Sequence, residues 1–230
     1  MSVQRYVSDE LTHFVGRRLG GLPDADERQY ALLVDILRTG VLGTDKSTAI
    51  SYSDDKSFSG NEFYKANLVC FSDIPVPDLA IHMGKFSRFG LAFRKSFLSQ
   101  RGANPVFYVA ANGSPGPAGG PGGTRGEQFD REHQRVWRLF RQLEDMPGLD
   151  QAEVRELWTS LVYNFFSLVK FYREGLPAED SENFYMEREW RVFGSLEFSL
   201  AEVRRVIFPA QYAKRFRQDL PDYYGEITFS

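Results

Sequence analysis

Residues 185–192 read Tyr185-Met186-Glu187-Arg188-Glu189-Trp190-Arg191-Val192. In an extended chain, successive side chains point to opposite faces. Glu187, Glu189 and Arg191 then share one face, and Arg188, Trp190 and Val192 share the other. The Trp190 side belongs to a core. The opposite side presents two carboxylates beside a guanidinium. Such a face can steady a developing oxocarbenium cation or orient a ribose hydroxyl. The plainer reading is an ion pair that locks one strand to its neighbours.

Outward from this strand, the chain alternates strands and helices without regular βαβ order. Leu68-Val69-Cys70-Phe71, Phe89–Phe93, Val106–Ala110, Val206-Ile207-Phe208 and Ile227–Phe229 read as further strands. The stretch from Ser8 to Leu19 has no clear period. A helix capped by Asp24 or Asp26 runs to about Thr39, where Gly40 stops it. Asp45–Gly60 is polar and reads as loop. Pro77 opens a short helical turn through His82 and Met83. Phe129, Val136, Trp137, Phe140 and Leu143 have helical spacing, as do Val154, Leu157, Trp158, Leu161, Phe165, Leu168 and Tyr172. Met146-Pro147-Gly148 between them predicts an antiparallel helix pair. An acidic loop, Glu174–Glu182, follows, and Ala210–Gln218 is a basic helix. The sum is an α+β chain.

The segment Asn112–Gly126, NGSPGPAGGPGGTRG, holds seven of the 20 glycines and three of the 11 prolines. Its four glycine-led triplets are too few for a collagen helix, so it reads as a flexible loop. The parts on either side each lack elements that the other supplies. The expected organisation is a single α+β domain over 1–230, with the loop at 112–126 and a helical insertion at about 127–173.

The 230 residues are 42% hydrophobic, with 20 Phe and 11 Tyr, enough to bury a sizeable core. A net charge of −3 excludes a uniformly basic nucleic-acid-coating protein. Two spans nevertheless lack acids. Leu79–Gly126 carries Lys85, Arg88, Arg94, Lys95, Arg101 and Arg125; Val203–Gln218 carries Arg204, Arg205, Lys214, Arg215 and Arg217. They fit a pyrophosphate, phosphate or nucleic-acid backbone, or else ordinary surface ion pairs. One cysteine excludes an internal disulfide framework and a cysteine zinc site. No apolar run reaches the ~18 residues of a membrane span, and the first residues lack a signal-peptide pattern. A cytoplasmic setting is expected.

His13, in Leu11-Thr12-His13-Phe14, is either a donor to ribose or phosphate or a core histidine. His82 and His133 have no ligand at metal spacing, so no metal site is expected. Cys70 sits in an apolar strand and reads as a buried, inert thiol. Walker A, GxSxG, HExxH and GxGxxG patterns are absent, against a P-loop NTPase, an α/β-hydrolase, a zincin and a dinucleotide-binding Rossmann domain.

Seven phrases together carry a resemblance: LTHFVG (11–16), LLVDILRTGVL (32–42), VCFSDIP (69–75), HMGKFSRFGLAFRK (82–95), PVFYVA (105–110), EREWRVFGS (187–195) and VRRVIFP (203–209). Their order resembles the AbiGi family of abortive-infection, phage-resistance proteins, over most of the chain outside the Gly/Pro loop. That resemblance implies the antitoxin member of a two-gene toxin–antitoxin pair, and so a protein partner encoded nearby. An early histidine, a CFS strand, an FG strand and a late E-x-E-W-R strand also resemble DarT-type ADP-ribosyltransferases. That likeness implies small mixed sheets with flanking helices that clamp NAD as a substrate. Glu189 or Glu187 would be the catalytic glutamate. His13, Arg88, Arg94 and Arg191 would hold the cofactor, with Glu189 and His13 lining one cleft. A clear second NAD-binding motif does not align, which leaves a fold-only, non-catalytic member open. Transfer of ADP-ribose to a macromolecule and neutralisation of a partner toxin are the two functions expected. Nucleic-acid binding through the basic spans is the third.

Overall fold

The computed structural model describes residues 8–43, 50–53, 55–117, 122–180 and 182–230. The first residues, the start of the 45–60 segment, positions 118–121 of the Gly/Pro segment and position 181 of the acidic segment lie outside that set. In chain order the elements begin with Glu10–Phe14 (β1), Ala25–Thr39 (α1), Val41–Leu42 (β2), Ile50–Tyr52 (β3), Tyr64–Ala66 (β4) and Leu68–Ser72 (β5). Next come Ala80–Lys85 (α2), Gly90–Arg94 (β6), Lys95–Gln100 (α3), Asn104–Pro105 (β7), Phe107–Ala110 (β8), Arg125–Glu144 (α4) and Gln151–Asn164 (α5). Val169–Tyr172 (β9), Glu189–Phe193 (β10), Leu196–Glu197 (β11), Val203–Phe208 (β12), Ala213–Asp219 (α6) and Glu226–Phe229 (β13) complete the order. The fold is α+β with mixed sheets. Among the described residues, no helix is long and apolar enough to cross a membrane.

The chain divides into two compact units, each assembled from separated segments. The first comprises Met1–Ser47, Leu68–Pro105 and Glu187–Ser230. Its centre is a seven-stranded sheet in the order β13-β12-β6-β1-β5-β10-β7, antiparallel except for the β12–β13 pair. One face carries Leu11, Phe71, Leu91, Phe93, Val192 and Val206. Helix α1 packs there through Tyr30, Leu33, Val34 and Leu37, and α6 through Phe216. Burying these side chains stabilises the unit by ~25 cal/mol per Å² of apolar area removed from water. The other face is thinly apolar: Ile207 packs with Ile74, Leu79, Phe14 and Met83. Gly40 closes α1 in a left-handed conformation, at φ 66°, and its N–H donates to the Ile36 carbonyl.

The second unit comprises Thr48–Asn67 and Val106–Met186. The parallel pair β8–β9 and the hairpin β3–β4 join the α4–α5 pair around an aromatic core of Phe58, Phe63, Phe140, Trp158 and Phe171. The Phe140 and Trp158 rings stack at 4.4 Å, and Arg155 meets Glu144 at 3.6 Å, so α5 runs back along α4. Thr124 and Glu127 form a reciprocal capping box at the start of α4. The two ends of the Gly/Pro segment are pinned together by Arg125 N–H to Gly113 O (2.8 Å) and Gly126 N–H to Ala111 O (2.9 Å).

Several elements differ from the sequence expectation. The second helix ends at Asn164, and residues 169–172 form a strand paired with β8 instead of a helix continuing to Tyr172. The spacing Leu161, Phe165, Leu168, Tyr172 fits a helix, but Val169-Lys170-Phe171-Tyr172 also alternates, and strand pairing takes it. Within the polar 45–60 segment, residues 50–52 form β3 and Phe58–Gly60 a helical turn. Lys95–Gln100, between the strands expected at 89–93 and 106–110, is a helix. Cys70 is exposed, not buried: Val69 and Phe71 point into the core, so the thiol between them faces the other way.

Candidate functional site

Register places three polar side chains in one row across the sheet. Thr12 of β1 pairs with Ser72 of β5, and Ser72 pairs with Glu189 of β10. Directly paired residues share a face. Thr12, Ser72 and Glu189 are 2%, 6% and 5% exposed. The next row pairs Cys70 with Arg191. The Arg191 Nε–H donates to Glu189 Oε1 at 2.7 Å, a charge-assisted bond between two largely buried side chains. Glu189 and Arg191 therefore do share a face, as alternation requires, while Trp190 and Val192 pack on the core.

Glu187 does not join them in a strand. It ends a helical turn, Phe184–Glu187, and Arg188 takes a left-handed conformation at φ 45°. The alternation is broken there, although Glu187 is itself buried. His13 follows Thr12 by one residue and so lies across the sheet from Glu189. Its ring meets Phe71 of the core at 5.8 Å, edge to face. A carbonyl can only accept, so His13 Nδ1 carries its proton to the Cys70 oxygen at 2.8 Å. Burial lowers the His13 pKa, and this hydrogen bond partly offsets it. The expected single cleft lined by Glu189 and His13 is not formed, because consecutive strand positions face apart.

The arginines are dispersed. Arg88 reaches the Ser230 carbonyl at 3.1 Å and Asp26 at 3.9 Å. Arg94 is exposed at the end of β6. Carboxylates from distant segments meet the acid-free spans: Lys95 binds Asp73 at 2.8 Å, Arg101 lies 3.7 Å from Glu202, Arg205 binds Glu10 at 3.0 Å and Arg215 binds Glu27 at 2.7 Å. Arg204 and Arg205 both also contact Glu226.

The second unit holds an open cavity of about 830 Å³, lined by Ser59, Asn61, Lys170, Tyr172, Arg173 and Glu182 among others. Sequence reasoning missed it, since its walls come from short elements between aromatic residues. Several of its polar groups are committed. Asn61 brackets the Phe171 backbone at 2.9 and 2.8 Å, and Ser59 binds Asp130 through both N–H and hydroxyl, at 2.7 and 2.6 Å. Sequence reasoning also passed over Thr12 and Ser72; the hydroxyls flanked by core residues in Leu11-Thr12 and Phe71-Ser72 were the available signal.

Residues 47–120 match the AbiGi family model. That family is described as "Putative abortive phage resistance protein AbiGi, antitoxin". The AbiGi match spans about a third of the chain and includes three of the seven phrases quoted above, VCFSDIP, HMGKFSRFGLAFRK and PVFYVA. It supplies β5, β6 and β7 to the seven-stranded sheet and β3, β4 and β8 to the second unit. No curated protein and no solved structure matches the chain. Nothing in these comparisons bears out the DarT likeness.

Proposed function

We propose that this protein acts in abortive phage resistance as a binding protein that neutralises a toxin encoded beside it. The observation that carries the reading is the AbiGi match, whose family description names an antitoxin. The geometry is in keeping with it. Glu189 is buried and ion-paired with Arg191, which is the arrangement of a structural pair. A carboxylate so committed has less capacity to steady a passing cation. The experiment is co-expression in a bacterial host with the adjacent gene. Growth arrest by the neighbour alone, relieved by this chain, is the expected outcome; arrest by this chain alone contradicts it.

A second reading is transfer of ADP-ribose from NAD, with Glu189 of the row Thr12–Ser72–Glu189 as the catalytic glutamate. In it Glu189 steadies the ribosyl cation as the bond to nicotinamide breaks, and Arg191 holds the carboxylate. The purified protein would then consume NAD, and Glu189→Gln would abolish the consumption while leaving the fold intact. Absence of NAD turnover in the wild type rules this reading out.

A further inference from the structure

Helix α4 buries one side, where His133 and Phe140 lie, and carries guanidinium groups on the other. At 3.6 residues per turn, Arg131, Arg135 and Arg138 fall within an arc of about 60° that lies opposite Phe140. All three are exposed, as are Gln134 and Gln142 on the same side. The carboxylates nearest this arc sit at its shoulders and ends. Glu132 lies 3.5 Å from Arg135 on one shoulder. On the other, Asp130 is held by Ser59 at 2.6 Å, and Glu144 takes Arg141 at 2.8 Å. At the helix start, Glu127 accepts the Thr124 N–H at 2.7 Å, and Asp145 stands past the last turn. Among the described residues, Arg131 and Arg138 form no ion pair. Like charges three and four residues apart repel one another and destabilise a helix. In the acid-free spans, carboxylates from distant segments relieve such repulsion. Among the described residues, nothing of the kind reaches Arg131 and Arg138.

We propose that this face of α4, carried by Arg131, Arg135 and Arg138 with Gln134 and Gln142 between and beside them, binds duplex DNA along its phosphates. The inference goes beyond the antitoxin reading and does not rest on it. The occupant follows from the chemistry of the face. Guanidinium groups take phosphate oxygens in a two-pronged hydrogen bond. From Arg131 to Arg138 the helix rises about 10 Å, over which a duplex presents about six phosphate charges. The arc carries no aromatic ring, since Phe129, Trp137 and Phe140 pack into the aromatic clusters of the unit. Single strands are held by stacking their bases on such rings, so the face suits a duplex. An exposed helix enters the major groove of B-DNA, about 12 Å wide, whereas that of duplex RNA is too deep and narrow. Arginine and glutamine are also the side chains that pair with guanine and adenine edges in that groove.

The test is fluorescence anisotropy of a short labelled duplex DNA of mixed sequence, titrated with the full-length protein. Binding through three arginines should weaken by about 40-fold between about 50 and 200 mM salt. Arg131→Gln combined with Arg138→Gln should lower the affinity by about tenfold at low salt and reduce the logarithmic salt slope by about two. Arg131→Lys combined with Arg138→Lys keeps both charges and should keep most of the slope. Arg18→Gln combined with Arg28→Gln removes the same charge at exposed positions of the other unit and should leave binding within about twofold of wild type. All these positions are exposed, so circular dichroism and thermal midpoints should match wild type. Wild type that gives no salt-dependent binding to the duplex overturns the proposal. So does a glutamine pair on α4 that binds as wild type does, or one no weaker than the pair in the other unit. A labelled single strand, or an RNA duplex, that binds more tightly than the DNA duplex overturns the choice of partner and with it the proposal.

Discussion

Glu189 and Arg191 show how a residue pair can be right in pattern and different in setting. Alternation along the strand predicted that they share a face, and their 2.7 Å bond confirms it. Their burial depends on what covers the sheet, which no local pattern encodes. Removing the guanidinium leaves a buried carboxylate without its cation. Arg191→Ala is expected to cost about 2–4 kcal/mol in urea unfolding; a loss within error of zero would mean the pair contributes nothing. His133 is a second residue whose setting was unreadable. Its sequence surroundings say only that no metal ligand stands at the right spacing. It lies 4% exposed among Phe58, Phe63 and Phe166, with its Nε2 2.6 Å from the Tyr64 hydroxyl. Burial lowers its pKa from 6.5 to about 4. The unfolded chain therefore takes up a proton near pH 6.5 that the folded chain refuses until about pH 4. Stability is full above pH 6.5 and falls as the pH drops toward 4, by up to about 3 kcal/mol. His13, also lowered, adds with the same sign. Unfolding midpoints at pH 7, 6 and 5 should decline in that order; a flat profile would contradict the assignment.

Elements built on strong local signals were legible. Strands β5, β10 and β12 are short runs rich in β-branched and aromatic residues, β6 is built on the apolar run Leu91-Ala92-Phe93, and α1 carries an apolar face ending at a glycine. Gly40→Ala tests that ending. Alanine resists φ 66°, and its Cβ would run into the Phe198 carbonyl oxygen. A loss of about 2 kcal/mol or more is expected in thermal or urea unfolding. At the start of α4, Thr124→Ala removes one half of the capping box and should cost about 1 kcal/mol, seen as a lower thermal midpoint. The elements that were not legible are those made by pairing. Strand β1, ELTHF, has no clean alternation, yet it holds the middle of the seven-stranded sheet because β5 and β6 supply its hydrogen-bond partners. Strand β9 shares its spacing with a helix, and only its partner β8 decides between them.

At the scale of the whole molecule, each unit is woven from segments far apart in the chain. Charge shows the consequence. The acid-free spans are cationic only locally, since Glu10, Glu27, Asp73 and Glu226 arrive from elsewhere to meet them. The same weaving sets the response to truncation. Ending the chain at Met186 removes β10, β12 and β13 from the sheet and exposes its apolar face. That fragment should be recovered insoluble or lack cooperative unfolding; a soluble fragment with a sharp thermal transition would contradict the topology. The chain holds a single sulfhydryl, and it looks outward from the sheet. A maleimide dye will therefore attach at one known place without prior mutagenesis. Paired with an acceptor fluorophore on the purified product of the adjacent gene, it would report by energy transfer whether the two proteins meet.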